Sequence, residues 1–269
     1  MMADECANME FMFTTKHGSL LKSIVESGKD ILICINLIVN EKGAFIIQRN
    51  RPKTCQVAVS LLAINFDFFH CRPNEEYRIS LDGISFFRNL KILYSSDSIS
   101  FIKFADQNAV RIQSSNDEKR AVHQMNIPIL EEEFDVLRLK DIPLDEYSFI
   151  LSSSRFSKIL KDLKSLNVME VTIELELNKL SIVGAAEYSD VRFIYGVSPQ
   201  LKFNPNLGKV LQGGPPISAK FDLRLLVLFL KAGSVNNEIK FYLTRGAPLI
   251  LRYENELGNM LFYATCLCP

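Results

Sequence analysis

The sequence predicts an α+β fold built as two similar domains, each with helices on one face of antiparallel sheets. Three observations carry that expectation. Short amphipathic helical patterns are followed by two-strand patterns. That helix-then-hairpin unit occurs four times. The first pair of units recurs as a second pair after roughly 135 positions, in pattern rather than in identity.

Residues 1–8 read as a loose tail, and 9–13, MEFMF, as a first strand. Residues 19–29, SLLKSIVESGK, form the first helix, with Leu20, Leu21, Ile24 and Val25 on one side and Lys22 and Lys29 on the other. The segment ILICINLIVNEKGAFIIQ then reads as a hairpin turning between Asn40 and Gly43. In VAVSLLAINFDFFHC a strand gives way to an aromatic cluster, and the strand EYRISL leads into a second helix over 84–94, ISFFRNLKILY, which carries Arg88 and Lys91. Its hairpin, SISFIKFADQNAVRIQ, turns near Asp106 to Asn108. A polar loop, SSNDEKR, and the strand AVHQMNI close the first domain at about residue 126.

Residues 127–144 break the pattern. They carry the acidic run Glu131, Glu132 and Glu133 among spaced Leu130, Phe134, Val136, Leu137 and Leu139, and read as a surface connector between domains 1–126 and 145–269. The second domain opens with EYSFILS and a helix over 153–167, SSRFSKILKDLKSLN. Here Phe156, Ile159, Leu160, Leu163 and Leu166 make an apolar stripe, and Arg155, Lys158 and Lys161 project together from the opposite face. The hairpin VMEVTIELELNKLSIVGA turns at Asn178 and Lys179, and SDVRFIYG is a further strand. The loop over 198–216, ending in Gly213, Gly214, Pro215 and Pro216, is expected to be the least ordered internal segment. Residues 221–231, FDLRLLVLFLK, give the fourth helix, with Arg224 and Lys231, before a hairpin that turns at Arg245 and Gly246.

Composition narrows the function. Thirty-one basic and 31 acidic residues leave a formal net charge of zero, so any affinity for a polyanion must come from local placement of charge. With 48% hydrophobic residues the chain can bury a full core. Cys6, Cys34, Cys55, Cys71, Cys266 and Cys268 form no paired framework and no CxxC motif, which points to a reducing compartment. The longest apolar runs are too short to span a bilayer and the N-terminus lacks a signal-peptide core, so a soluble intracellular protein is expected. His17, His70 and His123 show no ligand spacing, and neither a nucleophile elbow nor a phosphate-cradling glycine loop is present. A consecutive run such as Glu131 to Glu133 with Asp135 points its carboxylates in different directions, unlike a two-metal centre. No catalytic residue, metal or cofactor is expected.

The basic helical faces are what remains. Nine residues, Lys22, Lys29, Arg88, Lys91, Arg155, Lys158, Lys161, Arg224 and Lys231, would line one surface if the four helices share a side of the sheets. Such a surface attracts phosphates without reading bases.

RFSKILKDLKSLN with VMEVTIEL, and APLILRY with GNMLFY, resemble segments of the sliding-clamp family of proliferating cell nuclear antigen. The resemblance implies the DNA-clamp fold: a ring of three subunits around double-stranded DNA, basic helices inside and sheets outside. QRNRPKTCQVAVSL departs from the Met-Asp-Ser-Ser-His segment of the replicative clamp. KTCQVA, NEEYRISLDGISFF, FILSSSRFSKILKDL and the ending GNMLFYATCLCP, with Gly258, Phe262, Cys268 and Pro269, are closer to the Rad-one subunit of the nine-one-one checkpoint clamp. AVHQMNIPI and KFDLRLLVLFLKAG are also similar to the Hus-one subunit. The resemblance therefore implies a nuclear heterotrimer with two other clamp subunits, a clamp loader, and repair or checkpoint proteins as partners. Partner peptides are expected at Leu130, Pro248, Leu249 and Phe262, and subunit edges at 120–126 and 190–196. A homotrimeric replicative clamp, a 3′ to 5′ exonuclease and an interaction scaffold without DNA contact are the alternatives.

Overall fold

Three of the four basic helices begin where a strand runs out, and the residue at each joint carries a side-chain oxygen. A computed structural model describes residues 8–94, 96–116, 121–131, 147–187, 189–211 and 215–267. Strand β1 (Met9–Thr15) precedes helix α1 (Gly18–Gly28), which has no side-chain cap. Strands β2 (Cys34–Asn40), β3 (Gly43–Arg49), β4 (Cys55–Leu62) and β5 (Phe68–Cys71) follow. Then β6 (Tyr77–Asp82) runs straight into α2 (Gly83–Ile92), and Asp82 accepts a hydrogen bond from the Ser85 amide at 2.7 Å. In the second half β10 (Ser148–Ser152) enters α3 (Ser153–Ser165), where Ser152 Oγ accepts from the Arg155 amide at 3.4 Å. These oxygens satisfy amides that the first helical turn leaves without a partner.

The hydrogen bonds from Ser85, side chain first and then backbone, hold the Asp82 carboxyl below the usual aspartate range. Its folded pKa is depressed, so the stabilisation is present above the unfolded value of about 3.9 and is lost as the pH falls from there through the folded value. Asp82→Ala should cost about 1 kcal/mol at neutral pH. The deficit, measured by urea denaturation, should shrink as the pH is lowered below about 4.

Strands β7 (Ser98–Phe104), β8 (Ala109–Asn116) and β9 (Ala121–Leu130) complete the first half. The second continues through β11 (Glu170–Glu176), β12 (Lys179–Ala185), β13 (Asp190–Gly196), β14 (Leu201–Phe203), a short helix α4 (Pro205–Leu211) and β15 (Ile217–Asp222). The last elements are α5 (Leu223–Phe229), a 3-10 turn over Leu230–Ser234, β16 (Glu238–Tyr242), β17 (Leu249–Asn255) and β18 (Gly258–Ala264). The hairpins that pair Asn40 with Gly43 and Glu176 with Lys179 are antiparallel.

The chain forms two units. One comprises residues 1–49, 57–137 and 255–260, the other residues 50–56, 138–254 and 261–269. In the first unit the strand order is β4-β3-β2-β6-β9-β8-β7-β1-β5; in the second it is β14-β10-β16-β17-β18 with a separate sheet β13-β12-β11-β15. Aromatic rings fill the first core, with Phe13 lying 4.9 Å from Phe101 and 5.0 Å from Phe66. In the second, Phe241 stacks on Phe149 at 4.8 Å and meets Phe156 edge-on at 4.9 Å. These are the separations at which ring pairs attract beyond their buried area. Gly184 lies beneath α3: a Cβ there would meet Leu163 and Val168 at 2.8 Å, so the missing side chain lets the helix settle on the sheet.

The structure corrects several expectations. The 198–216 segment is not merely a loop, because β14 and α4 occupy it and bury Leu201, Leu207 and Leu211. Leu166 does not continue the α3 stripe: the helix stops at Ser165, and this C-cap residue is 42% exposed. The 221–231 helix is shorter than the pattern suggests, since Phe221 and Asp222 still belong to β15 and Lys231 to the 3-10 turn. The start of the expected connector, up to Leu130, is strand. Cys6, Arg120, residues 132–144, Cys268 and Pro269 lie outside the described residues.

Candidate functional site

In the first unit α1 and α2 lie side by side, and the crease between them gathers all four of that unit's expected basic residues. A cleft of about 340 Å³ is lined by Lys22, Val25, Glu26 and Lys29 from α1 and by Phe87, Arg88, Leu90 and Lys91 from α2. Helical spacing of three and four residues brings each set to one side. The Lys22 ammonium donates to the Leu93 carbonyl just past α2. Burial lowers the Lys22 pKa, and the nearby carboxylate of Asp97 partly restores it. Lys29 lies 3.6 Å from Glu26. Arg88 and Lys91 are exposed and close no ion pair among the described residues.

The second unit distributes its charge differently. Lys158 and Lys161 are exposed on α3 without an ion pair among the described residues, and Lys164 continues the same spacing by one more step. Arg155 turns instead toward the sheet, its guanidinium 4.9 Å from the centre of the Tyr195 ring. Burial raises the Tyr195 pKa, and Arg155 opposes that rise. Helices α3 and α5 pack together, but Arg224 folds back on Asp222 with a 2.7 Å ion pair. That hydrogen-bonded pair lowers the Asp222 pKa and raises that of Arg224, so Arg224 spends its charge locally. Lys231 is exposed on the 3-10 turn. Among the described residues no group of three or more His, Cys, Asp or Glu could hold a metal ion, and no helix is long and apolar enough to cross a membrane.

Residues 9–136 match the N-terminal domain of proliferating cell nuclear antigen, and residues 141–267 match its C-terminal domain. The chain belongs to the proliferating cell nuclear antigen family. It is a clamp of that type. Related chains include a "Probable DNA polymerase sliding clamp 1" of Paramecium bursaria Chlorella virus 1, 23% identical over 94% of both chains. "Proliferating cell nuclear antigen 2" of Drosophila melanogaster is 26% identical over 91% of this chain and 92% of its own. The crystal structure of the Entamoeba histolytica proliferating cellular nuclear antigen has a TM-score of 0.82 at 20% identity, over 96% of this chain and 99% of that one, which establishes the shared two-domain clamp fold.

Strands β13 and β9 are among those of this clamp that carry open backbone edges. Strand β13 ends its four-stranded sheet, with Ile194 exposed by 55% and Val197 just beyond it by 64%. On β9, residues 121–126 pair with β8 alone among the described residues, while Ile129 and Leu130 pair with β6. Val122, Ile92 and Tyr94 are exposed there, and the Tyr94 ring lies 6.3 Å from that of His123.

The four residues expected to receive partner peptides divide. Leu130 and Pro248 are half-buried, whereas Leu249 and Phe262 are fully enclosed and present no surface. Alternation along β18 explains the correction: Phe262 faces the core against Phe229 and Tyr253, and its neighbour Tyr263 faces the other side. Burial raises the Tyr263 pKa to about 12, with Tyr242 adding to the rise and Arg252 opposing it.

Three features were missed by the sequence reading. Lys164 had a signal in the three-residue spacing. The turn that exposes Arg51 and Lys53 had one in Asn50, whose side chain accepts from the Cys55 amide and donates to Thr54 Oγ1, both at 2.9 Å. Tyr195 beneath Arg155 had none.

Proposed function

We propose that the chain is one subunit of a heterotrimeric ring that encircles duplex DNA and recruits partners for DNA-damage checkpoint signalling and repair in the nucleus. The observation that carries this reading is the set of exposed helical cations, Arg88, Lys91, Lys158 and Lys161, which close no ion pair among the described residues, in a clamp whose formal net charge is zero. Local charge of this kind gives mobile phosphate contacts, and enclosure supplies the residence that those contacts lack. The open edges at 121–126 and on β13 are suited to strand addition by neighbouring subunits, so three chains would close without covalent chemistry or a cofactor.

The names of the relatives favour a second reading, a homotrimeric replicative clamp. Light scattering on the purified chain separates the two: we expect the mass of one chain, and three times that mass would transfer the case to the replicative clamp. A complex purified from native cells should contain two different clamp-type subunits in equal amounts. Placed on a nicked DNA circle, that complex should persist in high salt and slip off when the circle is cut. Equal release from circular and linear DNA would overturn enclosure.

A further inference from the structure

The cleft between α1 and α2 has more than a cationic rim. Its floor is apolar: Val25 is 4% and Leu90 2% exposed, and the half-buried Phe87 ring forms part of the wall, edge-on to Phe86 at 6.4 Å. Four cations face one carboxylate across it. Two of those cations are already engaged, because Glu26 draws Lys29 along its own helix and the Leu93 carbonyl holds Lys22. Arg88 and Lys91, one and four residues past Phe87 on α2, are exposed and close no ion pair among the described residues, although the Arg88 charge also acts on the Asp82 carboxylate. A continuous phosphate backbone needs only surface charge. An apolar wall in a cleft beside such charge fits a ligand with a flat apolar body and an anionic end.

We propose that this cleft is a mononucleotide slot: the Phe87 ring receives the base, with the buried Val25 and Leu90 as the floor behind it, and Arg88 and Lys91 receive its phosphate. At about 340 Å³ it lies at the small end of ligand sites, the size of one nucleotide rather than a strand. Bases stack on aromatic rings whatever their identity, so the slot is tolerant of sequence. Its occupant is a nucleoside 5′-phosphate, either free or at the unpaired end of a DNA strand. In the second case the proposal rests on the DNA-clamp reading and places a strand end against the first unit.

Calorimetric titration with dAMP and with inorganic phosphate, and fluorescence titration with a single strand carrying a terminal 5′-phosphorylated 2-aminopurine, test it. Saturable dAMP binding tighter than phosphate identifies the free nucleotide as a ligand. Quenching of 2-aminopurine without dAMP binding assigns the slot to strand ends. Phe87→Ala should weaken whichever interaction is seen on the order of tenfold and leave retention on the nicked circle unchanged. Phe87→Leu keeps the wall apolar without an aromatic face and should give the same loss should the alanine variant fail to fold. Phosphate binding as tight as dAMP, quenching untouched by both variants, or no binding of either probe overturns the slot. Because circle retention is measured in parallel, an empty slot on a retained clamp is distinct from a failure of the clamp reading.

Discussion

Replacing Phe156 by Ala is expected to destabilise the second unit by about 3–5 kcal/mol, the range for emptying a buried phenylalanine site. Phe156 is completely enclosed and packs edge-on against Phe241, which itself stacks on Phe149. Those three rings join α3 to β10 and β16, so the cavity opens beneath the helix that carries Lys158 and Lys161. Little nearby can collapse to fill it, since Ile159, Leu160 and Leu163 are already buried in the same stripe. Hydrogen exchange should show the loss as faster opening of α3 and β16 amides. Leu166→Ala is the control: that side chain is 42% exposed past the helix end, and its loss should stay within about 0.5 kcal/mol. Equal effects of the two changes would mean that the stripe is not what seats α3.

The contrast between Phe156 and Leu166 marks how far the sequence could be read. Periodicity gave the helices and their buried faces because those depend on neighbours three and four residues away. The hairpin at Asn40 and Gly43 was legible from its turn residues, whereas the caps at Asp82, Ser152 and Asp222 went unread although each residue type favours that position. Periodicity does not say where a helix stops, and Leu166 fell on the far side of that boundary. Phe262 against Tyr263 is a matter of strand register, in which an error of one residue exchanges core for surface. Arg224 had a local signal in Asp222 two positions earlier, but the choice between a solvated cation and an ion pair lies in side-chain geometry. The approach of Tyr195 to Arg155 crosses forty positions, and no local pattern encodes it.

Reversing both Lys158 and Lys161 to Glu should produce the largest functional loss. If each lysine neutralises one phosphate, counterion release contributes about 0.9 per contact to the salt exponent, so two contacts contribute a factor of about 10^1.8, roughly 60-fold, at 0.1 M salt relative to 1 M. The alanine pair should lose that term, and the glutamate pair should lose it and add repulsion. Measured as duplex affinity against salt for the assembled ring, the slope should fall by about 2 in the alanine pair. Both lysines are exposed and unpaired among the described residues, so thermal unfolding should barely change. Arg224→Ala should have a smaller effect, because its guanidinium already serves Asp222. A double reversal that leaves affinity and slope intact would show that α3 does not face the duplex.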